Sequence, residues 1–132
     1  PNLIAPHKRM LSSQAPTIVL RDGRVRLVTG SPGGRTIPNT VAWVLLNTLE
    51  FGLEPAAAIA APRTNHAWFP DVLVLEGNTW PAPTRRALEA MGHRVRPESV
   101  QGDAHTIAVD PASGRILAAP DPRRGTARAA GD

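Results

Sequence analysis

The stretch Val28-Thr29-Gly30-Ser31-Pro32-Gly33-Gly34 ends a β-rich run and places three glycines within five residues. Upstream of it, residues 17–20 and 24–29 are β-rich and are separated by Asp22-Gly23, a pair suited to a two-residue type I′ turn. The fold is therefore expected to begin with a hairpin whose second strand delivers the chain into Gly30. Within that strand, Arg24-Val25-Arg26-Leu27 alternates polar and apolar side chains until Val28, the pattern of a strand covered on one face and open or partly covered on the other. Downstream, Val41, Val44, Leu45 and Leu49 recur at helical spacing within residues 40–51, and Ala42, Trp43 and Leu46 fill much of the rest. A helix that is apolar almost all round is expected to be buried between layers. Asn39 or Thr40 is placed to cap its start and Gly52 its end. On these residues alone the glycine-rich stretch is a loop joining a strand to a buried helix.

The remaining elements set the fold class. Glu54-Pro55 opens a short second helix through Ala61, which Pro62 stops. Residues 72–75 read as a strand, and residues 83–91 as an amphipathic helix ended by Gly92. Residues 105–109 and 115–119 form a second hairpin around the longer loop from Asp110 to Gly114. Strands gathered at both ends with helices between them predict an α+β architecture rather than repeated βαβ units.

Composition limits the function classes. A chain of 132 residues with 42% hydrophobic content holds one domain, or part of one, with a modest core. Its 14 prolines and 11 glycines fall between apolar runs and so punctuate a fold; only the tail from Pro120 reads as loose. Fifteen basic against eleven acidic residues give a net charge of +4, yet the arginines lie singly or in pairs, such as Arg85-Arg86 and Arg123-Arg124. Tyrosine is absent and other aromatics are few, so a base-stacking platform is missing and no nucleic-acid partner is expected. The absence of cysteine removes disulfides, cysteine-based zinc sites and a thiol nucleophile together. No apolar run is long enough for membrane insertion by this segment, and no signal-peptide pattern is present.

Several motifs, in order and at matching spacing, resemble one family. They are Lys8-Arg9-Met10-Leu11-Ser12-Ser13-Gln14-Ala15-Pro16, then Gly30-Ser31-Pro32-Gly33-Gly34-Arg35-Thr36-Ile37, then Ala61-Pro62-Arg63-Thr64-Asn65-His66-Ala67-Trp68-Phe69-Pro70-Asp71. Gly102-Asp103-Ala104-His105-Thr106-Ile107 and Asp121-Pro122-Arg123-Arg124 follow. Together they resemble the γ-glutamyltranspeptidases, or glutathione hydrolases, over almost the whole chain. The resemblance implies an N-terminal-nucleophile hydrolase with a four-layer αββα sandwich, made as a precursor that cleaves itself into a large and a small subunit. This chain resembles the C-terminal part of the small one, with residues 1–120 as the domain portion and 121–132 as a closing motif and flexible tail.

The implied chemistry is attack of a new N-terminal threonine on a γ-glutamyl amide, formation of an acyl-enzyme, and transfer of the acyl group to water or an amino acid. A free α-amine of pKa near 8 can take the threonine proton. Pro1 has no hydroxyl, and each internal threonine lacks its own free α-amine, so no nucleophile is expected in this chain and the isolated 132 residues are expected to be inactive. By resemblance, Gly33 and Gly34 form the oxyanion hole, and Ser12 and Ser13 hydrogen-bond the α-carboxylate of the γ-glutamyl group. Gln14 stands where the family usually has methionine. The implied partners are γ-glutamyl substrates such as glutathione, the large subunit and the upstream part of the small subunit, in a periplasmic or extracellular setting. No cofactor and no metal are expected. His66 reads as a structural hydrogen-bonding residue, His7 as solvent-facing, and His93 and His105 as lacking partners at ligand spacing. Trp43 and Trp68 read as core or interface residues, and Asp121 with Arg123 as an ion-paired corner that docks the tail. Two alternatives stand beside this reading: a related acylase of the same superfamily, and a non-catalytic fragment or interaction module whose exposed sheet edge pairs with another chain.

Overall fold

A computed structural model describes residues 2–77, 79–98 and 100–131. Strands β1 (Thr17–Arg21) and β2 (Arg24–Gly30) pair antiparallel. Asp22 at φ 52° and Gly23 at φ 74° both take left-handed backbone, as a type I′ turn requires. Pairing passes from Val19 opposite Leu27 to Leu20 opposite Val25, so Arg26 is an extra residue in β2. This bulge breaks the alternation that the sequence suggests. Leu27 is fully buried, whereas Val25 is 46% exposed, on the open side with Leu20.

After β2 the chain makes a short 3-10 turn, Gly34–Thr36, and enters helix α1 (Ile37–Leu45). Pro38 fits the first turn because its missing N–H is one that an α-helix leaves unused there. The helix thus starts earlier than the apolar spacing predicts, and neither expected cap acts as one. The Asn39 amide bonds Asn65 instead, and the Thr40 hydroxyl is buried without a hydrogen-bond partner among the described residues. A π-helical turn, Leu46–Glu50, continues the helix until Gly52 at φ 66° ends it. Val41 and Val44 are buried, but Ala42, Leu46 and Leu49 are exposed, so the expectation of burial all round does not hold for this chain. Helix α2 (Pro55–Ala60) follows.

The main sheet has the order β1-β2-β6-β7, with β6 (His105–Val109) and β7 (Ile116–Ala119) closing it antiparallel. Helices α1 and α2 cover one face. There Val44, Ile59, Ala104 and Ala119 form a buried apolar cluster. Burying a side chain the size of Val44 or Ile59 stabilises the fold by about 1.5–3 kcal/mol. Thr29 and Thr106 also turn inward, and their hydroxyls satisfy each other at 2.8 Å. On the opposite face Ile18, Val28 and Ile107 lie in register and are exposed. The chain therefore supplies one helical layer and one sheet of the expected four-layer sandwich.

A second sheet escapes the sequence reading in part. It has the order β3-β4-β5, from β3 (Thr64–Asn65), β4 (Leu73–Glu76) and β5 (Val95–Glu98). Helix α3 (Ala82–Ala90) joins β4 to a parallel β5, so one βαβ unit sits inside the α+β fold. Strand β3 is two residues long and β5 carries Pro97, which an edge strand tolerates. Neither shows a strand pattern.

Candidate functional site

The loop after β2 is shaped by backbone that only glycine adopts readily. Gly33 has φ 144°, and a Cβ there would lie 2.7 Å from the Thr36 hydroxyl and 3.2 Å from the Gly102 Cα. Gly34 has φ 58° with open space around it. Conformation and packing together require glycine at position 33, whereas conformation alone favours it at 34. The carbonyls of both are used: Gly33 accepts from the Thr36 N–H at 3.2 Å and its hydroxyl at 3.0 Å, and Gly34 accepts from the Ile37 N–H. Among the described residues neither glycine N–H has a protein acceptor. Gly33 and Gly34 are both exposed, and adjacent unengaged N–H groups on such residues are available to donate to a developing oxyanion.

The serine pair lies against this loop. The Ser13 hydroxyl donates to the Gly34 carbonyl at 2.8 Å, which brings two of the four candidate residues into direct contact. Ser12 is exposed, and its Oγ accepts from the Gln14 N–H at 3.3 Å. A hydroxyl carries one proton. That of Ser13 is committed to the loop, while that of Ser12 has no acceptor among the described residues.

Behind the loop stands the 102–104 segment. A Cβ on Gly102, at φ 71°, would lie 2.5 Å from the Thr40 hydroxyl oxygen and 2.8 Å from the Ser31 Oγ. The Asp103 N–H donates to that Ser31 Oγ at 2.9 Å. This backstop is itself fixed by buried charges. Arg63, 1% exposed, donates to the Gln101 carbonyl at 2.6 Å, to the Ile59 carbonyl at 2.9 Å and to the Asp121 carboxylate at 2.7 Å. Asp121 also accepts from the Ala104 N–H at 2.7 Å and from the Arg123 backbone and guanidinium, each at 3.1 Å. Arg123 then forks onto Glu76, which in turn accepts from the Gln101 N–H at 2.8 Å. Burial by itself would raise the Asp121 and Glu76 pKa values. The backbone N–H groups and Arg63 outweigh it at Asp121, and Arg123 with Gln101 at Glu76, so both carboxyls are held below their ordinary range.

Asp121 and Arg123 do form the ion-paired corner expected of them. Arg63 and Glu76, which complete it, were not singled out from sequence. Arg63 stands alone beside Ala61-Pro62, and its burial is set by tertiary partners remote in sequence. His66 accepts from the Trp68 N–H and contacts Asp71 at 3.1 Å, a structural role as expected. His7 is exposed, and His105 lies 3.6 Å from the Asp103 carboxylate. Among the described residues no group of three or more His, Cys, Asp or Glu side chains is placed to hold a metal. No described helix is long and apolar enough to cross a membrane. Trp43 is half-buried and donates to the Thr64 carbonyl at 3.0 Å, but Trp68 is 85% exposed and is not part of this chain's core.

The family model described as Gamma-glutamyltranspeptidase matches residues 1–131. The chain belongs to the γ-glutamyltranspeptidase family. It is 44% identical over 122 residues to the glutathione hydrolase proenzyme of Escherichia coli strain K12. That match covers 92% of this chain, which spans only 21% of the relative's length. The crystal structure of the Helicobacter pylori γ-glutamyltranspeptidase T380A mutant superposes with a TM-score of 0.86 at 39% identity, over 91% of this chain and 66% of that one. A cephalosporin acylase from Bacillus halodurans shares the fold at 28% identity, with a TM-score of 0.80 over 91% of this chain and 23% of that one. The αββα fold of the γ-glutamyltranspeptidases is thus the frame into which the Gly33-Gly34 loop and the Ser12-Ser13 turn are set.

Proposed function

We propose that this chain is the C-terminal part of the small subunit of an enzyme that cleaves γ-glutamyl amides such as glutathione and passes the acyl group to water or an amino acid. One observation carries the reading. The unengaged N–H groups of Gly33 and Gly34 lie on a loop that Ser13 ties to the serine turn. The α-carboxylate of the γ-glutamyl group is received at that turn, with Ser12 donating directly and Ser13 donating once it lets go of the Gly34 carbonyl. This places the scissile carbonyl beside the two glycines.

The nucleophile in this reading is a threonine hydroxyl from sequence outside the 132 residues. Its oxygen bonds to the amide carbon while its proton passes to the threonine's own α-amine. The carbonyl oxygen becomes an oxyanion and accepts from Gly33 and Gly34. Collapse breaks the C–N bond, and the leaving amine takes the proton back, leaving an ester acyl-enzyme. Water or an amino acid then attacks that ester. The 132 residues alone are inactive, and the exposed row of Ile18, Val28 and Ile107 packs against the rest of the enzyme.

The test uses the full-length processed protein and γ-glutamyl-p-nitroanilide. Release of p-nitroaniline is expected, together with a γ-glutamyl mass adduct on a peptide outside this chain. No release, or an adduct within the 132 residues, overturns the reading.

A further inference from the structure

The Gly102-Asp103-Ala104-His105 segment carries two side chains that the reaction above does not use. Asp103 is part-buried, its side chain 18% exposed, and its Oδ1 is buried without a hydrogen-bond partner among the described residues. The His105 Nε2 stands 3.6 Å from that oxygen, too far for a hydrogen bond, on a ring that is 53% exposed. We infer that Asp103 and His105 are positioning residues for the oxyanion loop, and that protonation of the His105 ring tightens their hold. The inference rests on the γ-glutamyl transfer reading above and adds to it a control on the aim of the Gly33-Gly34 donors.

Position is the first support. The Asp103 N–H donates to the Ser31 Oγ at 2.9 Å, and that hydroxyl donates in turn to the Pro32 carbonyl at 2.6 Å. One residue earlier, the Gly102 Cα is the surface on which Gly33 packs, so closely that a Cβ on Gly33 would lie 3.2 Å from it. His105 is the β6 residue opposite Gly30, where the loop leaves the sheet. The two side chains thus belong to the wall on which the loop leans and to the strand end from which it departs.

Chemistry is the second. A buried carboxylate oxygen without a donor is costly, and a charged donor offsets that cost best. The ring reaches N–H···O distance by moving about 0.8 Å, and its exposure leaves it room to do so. Neutral imidazole carries its one N–H on either nitrogen, whereas imidazolium carries one on each, so protonation guarantees a donor at Nε2 and adds the charge. Once closed, the contact fixes the Asp103 side chain as well as its backbone, and the Asp103 N–H stays on Ser31.

The surroundings leave Asp103 as the ring's counterpart. In the cleft that His105 lines, β2 contributes Thr29 and Gly30, and the end of β7 contributes Ala119 and Pro120, none of which titrates. Arg128 on the tail shares that cleft but is exposed, so solvent and salt screen its repulsion. On the buried side, Asp121 holds the Ala104 N–H and is paired with Arg63 and Arg123. Among the described residues, Asp103 is the one acid within ion-pair range of His105.

The test is a double-mutant cycle in the full-length processed enzyme with γ-glutamyl-p-nitroanilide. The parent, His105→Gln, Asp103→Asn and the double variant are compared at about pH 5.5 and about pH 8, on either side of the imidazole range. Titration of the nucleophile's α-amine acts on all four alike, so the coupling term isolates the pair. A coupling in kcat/KM of about threefold or more is expected at the lower pH and close to none at the higher. His105→Lys, cationic at both, is expected to retain the coupling to Asp103 at both. Coupling that is absent at both pH values, that is equal at both for the histidine, or that is missing from the lysine variant overturns the inference, while parental p-nitroaniline release keeps the function reading intact. Absence of parental release overturns that reading and this inference with it.

Discussion

The Ser13 hydroxyl and the Gly34 carbonyl, 21 positions apart in sequence, meet at 2.8 Å. This bond joins the turn proposed to hold the substrate carboxylate to the loop proposed to hold the oxyanion, and it divides the labour of the two serines. Ser12→Ala removes a donor that is free for the ligand, so KM for a γ-glutamyl anilide should rise about tenfold or more with a smaller change in kcat. Ser13→Ala also unties the loop of the free enzyme, so its kcat/KM should fall further than that of Ser12→Ala. Steady-state kinetics on both variants decides. Equal losses of kcat/KM in the two variants would sink the coupling.

Gly33 and Gly34 differ in what an added methyl meets. At 33 it would strike the Thr36 hydroxyl at 2.7 Å and crowd the Gly102 Cα, whereas at 34 it meets nothing within 4 Å. Gly33→Ala must therefore displace the loop, and kcat should fall by about a hundredfold or more, the range for a lost oxyanion donor. Gly34→Ala carries mainly the left-handed backbone penalty, about 1–2 kcal/mol, and should be the milder variant. If kcat for the two substitutions fell equally, the packing of Gly33 on Gly102 would not be what aims the loop.

Local pattern made the first hairpin, the Gly52 stop and the second hairpin legible, because turn chemistry and alternation are encoded within a few residues. The bulge at Arg26 was not legible, since an extra residue in one strand is defined only by its partner. Strand β5, Val-Arg-Pro-Glu, has one clearly apolar residue and is held by pairing with β4, so no periodicity announces it. The capping expectation failed because Asn39 and Thr40 face tertiary neighbours, Asn65 and the Gly102 region, rather than free helix N–H groups. The glycine and serine positions came from family resemblance. Composition alone made them turns, and the contact between Ser13 and Gly34 is a tertiary fact that neither source contained.

Asp121 is the acceptor on which the backstop converges. Asp121→Asn keeps the shape but leaves Arg63, almost wholly buried, facing a neutral amide. Removing one partner of a buried pair typically costs about 3–5 kcal/mol, because the other charge remains desolvated. Thermal unfolding of the enzyme carrying this chain should show a lowered midpoint. Replacing the exposed Glu98 by Gln should change it little, since its contact with Arg96 is long and open to solvent. Equal midpoints for the two variants would remove the network from any role in holding the Gly102 segment.

The same network fixes the sign of an acid response. Asp121 and Glu76 have folded pKa values below their ordinary range, despite burial, because N–H groups and guanidinium groups favour the charged forms. In the unfolded chain both return to about 4, so between the folded value and about 4 the unfolded state binds more protons. Their contribution is fully present above the unfolded pKa and is lost as pH falls through the folded one. Stability should therefore drop as pH is lowered below about 4, and Asp121→Asn, with one fewer such carboxylate, should lose less over the same interval than the parent does. Denaturation midpoints taken between about pH 3 and pH 6 measure the difference in slope. Parallel slopes would mean that Asp121 is protonated at the same pH whether the chain is folded or not, and the ion-paired corner would then contribute no acid sensitivity.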